Sequence, residues 1–279
     1  MFTKKSYSKK SSWKNDIDIQ NLPFDYTWEN IFNEIFKDKR IKIINNLLNK
    51  YIKNNDTNLK SSKDDLLPQE KSHTSYFDTA LLYPKPNYIF KAFCMTPLDE
   101  VKVVFIGQDP YFNNEIYKDR IVPQAYGLSF SVPIGFEIPS SLKNIYNNLK
   151  KYGHIKKIPS SGCLDYWAYQ GCLMLNTSLT VIDGQKNCHS SEWKWFTDKI
   201  IEEISNNLTN IVFVLWGGEA YKKIDLIDLD KHKVIISSHP SGLSANKEFK
   251  SYPAFVDQDH FGLINSHLIV PIDWNLEIS

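Results

Sequence analysis

The sequence predicts an α/β protein whose centre is a four-stranded parallel, twisted sheet flanked by helices. Three observations predict it. Four short apolar runs, at 101–106, 172–175, 211–215 and 234–236, are rich in β-branched and large apolar residues and are only strand length. Near-continuous apolar runs fit strands buried on both faces, the environment of a parallel sheet. Segments of helical character at 141–150, 192–205 and 220–223 alternate with these runs, and such alternation builds a layered α/β fold. Each run is followed at once by residues that carry chemistry or allow close approach.

From the N-terminus, residues 1–20 are rich in Lys and Ser with little apolar periodicity, which predicts a flexible basic tail. A basic arm that meets phosphates is the alternative. From 28 to 52, Ile31, Phe32, Ile35, Phe36, Ile41, Ile44, Leu47 and Leu48 recur at helical spacing, so one or two amphipathic helices are expected. Residues 53–74 are polar and turn-rich and read as a loop or insertion. The remainder, 21–279, reads as one domain without internal repeats.

The first run ends in Gly107-Gln108-Asp109-Pro110-Tyr111, the second in Asn176, the third in Trp216-Gly217-Gly218 and the fourth in Ser237-Ser238-His239-Pro240-Ser241. In an open parallel sheet, ligands bind outside the carboxyl ends of the strands. Asp109, Asn176, the Gly pair and His239 are therefore expected on one rim. Each has a plainer reading alone. Asp-Pro is ordinary turn chemistry, Asn176 can cap the next segment, His239 can be a surface imidazole, and Phe130 can be core. Four independent turns, however, need not carry Asp, Asn, His and a nearby aromatic together.

Composition bounds the function. The net charge is +1 and 42% of the residues are hydrophobic. That supports a sizeable core and, by itself, argues against a strongly basic nucleic-acid binder. No run reaches the roughly 18 apolar residues of a membrane span, and no apolar signal-peptide core follows Met1. Cys94, Cys163, Cys172 and Cys188 lack C-x-x-C spacing and are expected as reduced thiols of an intracellular, unsecreted protein. The phosphate-binding loop, the nucleophile elbow and the zinc-deaminase pattern are all absent.

Residues 98–111, ending in GQDPY, closely resemble the water-activating segment of the family 1 uracil-DNA glycosylases. Residues 124–132 (QAYGLSFSV), 173–181 (LMLNTSLTV) and 239–245 (HPSGLSA) are similar to further motifs of that family, in the family's order. Pro139-Ser140-Ser141-Leu142 looks like a shortened proline-rich loop, and Pro271-Ile272-Asp273-Trp274 resembles the family's tail. The resemblance spans 28–274, with the polar insertion unmatched.

The resemblance implies a three-layer α/β/α fold. It also implies hydrolysis of the N-glycosidic bond of uracil in single- and double-stranded DNA, leaving an abasic site at the start of base excision repair. It implies catalytic roles for Asp109 and His239, and a uracil pocket made by Gln108, Tyr111, Phe130 and Asn176. DNA contacts would come from Ser141, Gly217, Gly218, Ser241, Gly242, Leu243 and Ser244, with Leu243 as the wedge. No metal or cofactor is implied. The expected partners are uracil-containing DNA and a proteinaceous uracil-DNA glycosylase inhibitor. The chain is expected as a monomer that does not engage a membrane and works with the DNA, in nucleus or cytoplasm.

Departures are visible. Phe112 follows Tyr111 where the family usually has His. The 112–123 segment, with Lys118 and Arg120, is longer by about eight residues, within loop range. Gly242 stands for a common Pro, and Gly218 for a usual Ser. The segment after Ala245 matches poorly, so Lys247 is not carried over as a phosphate contact. The competing class is a non-catalytic DNA-binding or polymerase-accessory protein on the same fold. A second alternative is a related glycosylase of other base specificity, which Tyr111 with Asn176 disfavours.

Overall fold

The computed structural model describes residues 16–58, 82–117 and 120–276. Its strands are β1 (Leu82–Tyr83), β2 (Val103–Gly107), β3 (Asn114–Tyr117), β4 (Arg120–Pro123), β5 (Cys172–Asn176), β6 (Val181–Ile182), β7 (Val212–Trp216) and β8 (Lys233–Ser237). Its α-helices are α1 (Glu29–Phe36), α2 (Ile41–Asn58), α3 (Lys91–Met95), α4 (Ser140–Lys151), α5 (Asp165–Tyr169), α6 (Ser190–Asn207), α7 (Gly218–Tyr221) and α8 (His260–Ser266).

The central sheet has the order β5-β2-β7-β8, and every neighbouring pair is parallel. Every residue of β2, β5 and β7 is buried, as the continuous apolar runs require. α3 and α5 pack on β5, α7 on β7 and α8 on β8, while α1 and α2 pack against α6. The four-stranded parallel sheet flanked by helices is thus the observed architecture.

Amphipathic spacing explains the helices. α4 buries Leu142, Ile145, Tyr146 and Leu149, a single helical stripe. Lys150 and Lys151 close its last turn, where cations are favoured by the helix dipole. α1 buries Ile31, Phe32 and Ile35. Phe32 stacks on Phe90 at 5.2 Å, and Phe90 on Phe196 at 5.7 Å. Each large side chain so buried stabilises the fold by about 1.5–3 kcal/mol.

Three expectations are corrected. The basic tail does not run to residue 20. Ile17 and Ile19 are buried, with their N–H groups donated to Asn49 Oδ1 at 2.6 Å and Asn45 Oδ1 at 3.0 Å of α2. Residues 1–15 lie outside the described residues. The 53–74 insertion is not wholly loop, because α2 continues through Asn58, and 59–74 lie outside the described residues. The lengthened 112–123 segment is a β-hairpin, with Ile116 opposite Ile121 and Glu115 opposite Val122. Its β-branched and aromatic residues favour a strand over an open loop. Lys118 lies outside the described residues.

Candidate active site

The parallel register sets the site. Gly107 ends β2 directly opposite Asn176, the last residue of β5. A Cβ at Gly107 would lie 2.2 Å from Asn176 Oδ1 and 2.8 Å from Ser129 Cβ, so only glycine lets the Asn176 carboxamide cross the strand end. The loop after β5 grips the loop after β2. Thr177 N–H donates to Gly107 O at 3.0 Å, Ser178 N–H to Gln108 O at 3.0 Å, and Thr177 Oγ1 to Gln108 O at 2.7 Å. On the other side Trp216 pairs with Ser237, and Gly217 N–H donates to Ser237 O at 2.9 Å. Gly217 has φ +84°, and a Cβ there would sit 2.8 Å from His239 Cβ. This glycine gives His239 its place.

Asn176 is only 8% exposed. Among the described residues, no side chain or backbone group makes a hydrogen bond with its carboxamide. Nor is Asn176 one of the described side chains whose polar atoms are sealed from solvent without a partner, so the carboxamide opens onto the rim and is free to meet a ligand. Phe130 is nearly buried and holds φ +62°, an uncommon conformation for a bulky residue. Its ring lies 6.0 Å from the His239 ring and 5.6 Å from Trp216. Tyr111 donates its hydroxyl to Phe130 O at 3.2 Å. Its phenol end is enclosed, and burial raises its pKa.

His239 Nδ1 accepts from Ser241 N–H at 3.0 Å. A neutral imidazole with Nδ1 as acceptor carries its proton on Nε2, which becomes a donor. Burial, with the Lys186 charge added, lowers the His239 pKa to about 4. His239 is therefore neutral at pH 7. Asp109 is shifted the other way, upward by burial and partly restored by the Asn187 N–H and the Lys186 charge. Environments that push two titratable groups apart in this way mark functional sites.

The rim residues are placed as follows. Ser141 is half-buried in the first turn of α4. Asn144 of the same helix donates to Pro240 O at 2.8 Å, which fastens α4 to the His239 loop. In that loop Ser241 O accepts from Ser244 N–H at 3.0 Å and Ala245 N–H at 2.9 Å. This turn presents Gly242 and Leu243 to solvent, with Leu243 84% exposed. Gly217 is buried and Gly218 exposed at the start of α7.

Sequence reasoning missed Asn187. Its N–H donates to Asp109 Oδ2 at 2.8 Å, and its Oδ1 accepts from Gln108 Nε2 at 2.9 Å. Gln108 thus meets this turn through its side chain and the β5 loop through its carbonyl. The available signal was the Asp183-Gly184 turn pair ahead of an asparagine, a residue that tolerates positive φ. Phe112, the departure from the family pattern, packs beside Tyr83, Ala125, Val181 and Cys188.

Among the described residues, no three His, Cys, Asp or Glu side chains gather to hold a metal ion. A cleft of about 780 Å³ opens elsewhere, between α1 and α6, and shares no residue with this rim. Its walls carry ion pairs such as Arg40 with Asp38.

Residues 95–260 match the family model of the uracil DNA glycosylase superfamily. A uracil-DNA glycosylase of Francisella philomiragia is 46% identical over 200 residues, covering 70% of this chain and 85% of the relative. One from Psychromonas ingrahamii is 45% identical over 188 residues, covering 67% of this chain and 81% of the relative. The crystal structure of mimivirus uracil-DNA glycosylase superposes with a TM-score of 0.80 at 32% identity, covering 94% of this chain and 90% of that one. A variant of the mimivirus enzyme has also been solved in complex with UGI. With a matching family model over most of its length, and relatives covered over most of theirs, this chain belongs to the uracil DNA glycosylase superfamily.

Proposed function

We propose that this chain hydrolyses the N-glycosidic bond of uracil in single- and double-stranded DNA, releasing free uracil and leaving an abasic site. The Asn176 carboxamide, with no hydrogen-bond partner among the described residues, on the same sheet edge as Phe130 and a neutral His239, carries the reading.

A base in a duplex must leave the stack before its glycosidic carbon can be attacked, at a cost of a few kcal/mol. The exposed Leu243 side chain fills the vacated stack and offsets part of that cost. The hydroxyl groups of Ser141, Ser241 and Ser244 and the backbone N–H groups of Gly218 and Gly242 hold the flanking phosphates, and Gly217, with no side chain, lets the backbone approach them. Such contacts position DNA without reading its sequence and need little net positive charge. In the pocket the Asn176 amide pairs with the O4 and N3–H edge of uracil. Cytosine presents the opposite pattern and leaves polar groups mismatched. Phe130 stacks on the base, Tyr111 fills the space a thymine methyl needs, and Gln108 shapes the turn.

The bond between the sugar C1′ and uracil N1 breaks with its electron pair moving onto the base. His239 donates its Nε2–H hydrogen bond to the developing charge on O2. One such donor is worth about 2.7–4 kcal/mol. Asp109 stabilises the cationic sugar and orients the water whose oxygen bonds C1′. The water's surplus proton passes to Asp109 and then to solvent. A unit charge at 4 Å contributes about 4 kcal/mol at an effective dielectric of 20.

On this reading the chain works with the DNA, in nucleus or cytoplasm, as a monomer that does not engage a membrane. A proteinaceous inhibitor would close over the same rim. The test is release of free base from single- and double-stranded oligonucleotides in metal-free buffer, with and without UGI. Uracil release, with thymine and cytosine retained and UGI blocking, is the expected result. DNA binding without base release would instead favour a non-catalytic DNA-binding or accessory role.

A further inference from the structure

We propose that the turn between Asp183 and Ser190 is a positioning element of the active site, in which Asn187 fixes Gln108 and the Asp109 carboxylate in one geometry and the exposed Lys186 is the cation of the turn. The inference rests on the proposed glycosylase reading and deepens it. Asp109 lies on the loop after β2, yet the backbone N–H that holds its carboxylate comes from a residue 78 positions away in sequence.

The turn is built to hold its shape. Gly184 N–H donates to Phe112 O at 2.8 Å, which ties it to the chain just past Tyr111. Gln185 N–H donates to Ile182 O at 3.0 Å, and Ser190 N–H to Asn187 O at 3.2 Å. At its far end Trp193 Nε1–H donates to Thr180 Oγ1 at 2.7 Å. Thr180 Oγ1 also lies 3.0 Å from His189 Nδ1. His189 is buried and pins the end of the turn.

Within this frame Asn187 stands at φ +59°. Asparagine tolerates that left-handed conformation better than most residues. The conformation aims its N–H at Asp109 Oδ2 while its side chain reaches Gln108 Nε2. One residue thus holds both Gln108 and Asp109. Lys186 precedes it, and the Asn187 nitrogen that reaches Asp109 is bonded to the Lys186 carbonyl carbon. The lysine is exposed, and among the described residues no carboxylate forms an ion pair with it. Its positive charge favours ionised Asp109 and neutral His239, the two states the chemistry needs. The groups facing Asp109 are Lys186 and Cys188 on the turn, with His239 across the rim sharing the Lys186 charge.

The test is the pH dependence of single-turnover uracil release at saturating enzyme, on a single-stranded oligonucleotide, for wild type and three variants. Asn187→Asp keeps the side-chain acceptor and adds a negative charge beside Asp109. Its acid limb should move up by about one pH unit, the scale of a neighbouring like charge. Lys186→Gln should move the limb in the same direction by less, and the shift should shrink at about 1 M salt, where exposed charges are screened. Asn187→Gly keeps the N–H and the left-handed turn but loses the bond to Gln108. Its plateau should fall about tenfold while its acid limb stays in place, as expected when one positioning hydrogen bond is lost. The Asp109 carboxyl, followed by carbon NMR titration in the free protein, should show the same order of shifts without substrate. Acid limbs and carboxyl titrations that match wild type in Asn187→Asp and Lys186→Gln would overturn the proposal. Wild type that releases no uracil, with the carboxyl shifts still present, would instead sink the glycosylase reading.

Discussion

At Asn176 the carboxamide lies across the end of β2 because Gly107 has no side chain. Gly107→Ala places a methyl 2.2 Å from Asn176 Oδ1 and must turn the amide away. Uracil release should fall about a hundredfold, the scale of one lost oriented hydrogen-bonding group, while thymine and cytosine stay unreleased. A kinetic comparison with wild type checks it, with circular dichroism confirming the fold. At this scale Asp109, Asn176 and His239 were legible, because each directly follows an apolar run. Asn187 was not. Its contribution to Asp109 is a backbone N–H aimed by a left-handed φ, and no side-chain pattern announces that. The strained backbone of Phe130 was equally silent, although the residue itself was expected in the pocket.

Among elements, the four strands of the central sheet and the helices α4, α6 and α7 were legible to within a residue or two. The run at 101–106 became β2 at Val103–Gly107, and that at 211–215 became β7 at Val212–Trp216. Strand ends extend past the apolar residues because pairing, not apolarity, defines them. The hairpin β3–β4 was read as loop because its alternation is short and its face is half polar, with Glu115 and Asn114 bonding to Gln124 and Tyr83. Short α3, α5 and α8 carry too few residues for a helical period to show. The His239 loop is the element with a specific expected effect. Leu243→Ala should lower release from duplex substrates about tenfold more than from single strands, since only the duplex must be unstacked. Matched measurements on the two substrates check this, and equal losses would remove the wedge.

For the whole molecule, the layered α/β class followed from the alternation of runs and helices. The strand order β5-β2-β7-β8 did not, since it pairs Val103 of β2 both with Cys172 of β5 and with Val212 of β7, contacts no local pattern encodes. That order carries the function, because it puts the ends of β2 and β5 side by side and those of β7 and β8 next to them. The net charge of +1 also makes sense at this scale. On the proposed reading the rim meets phosphates through small residues, hydroxyls and backbone N–H groups, which need little net positive charge. The central claim is that this rim performs glycosidic hydrolysis with a single carboxylate and a neutral histidine. The most direct test compares wild type with Asp109→Asn for uracil release and for binding to the same uracil-containing duplex. Unchanged binding with excision lowered roughly a thousandfold is expected, the equivalent of about 4 kcal/mol. Wild-type excision by Asp109→Asn would contradict the account.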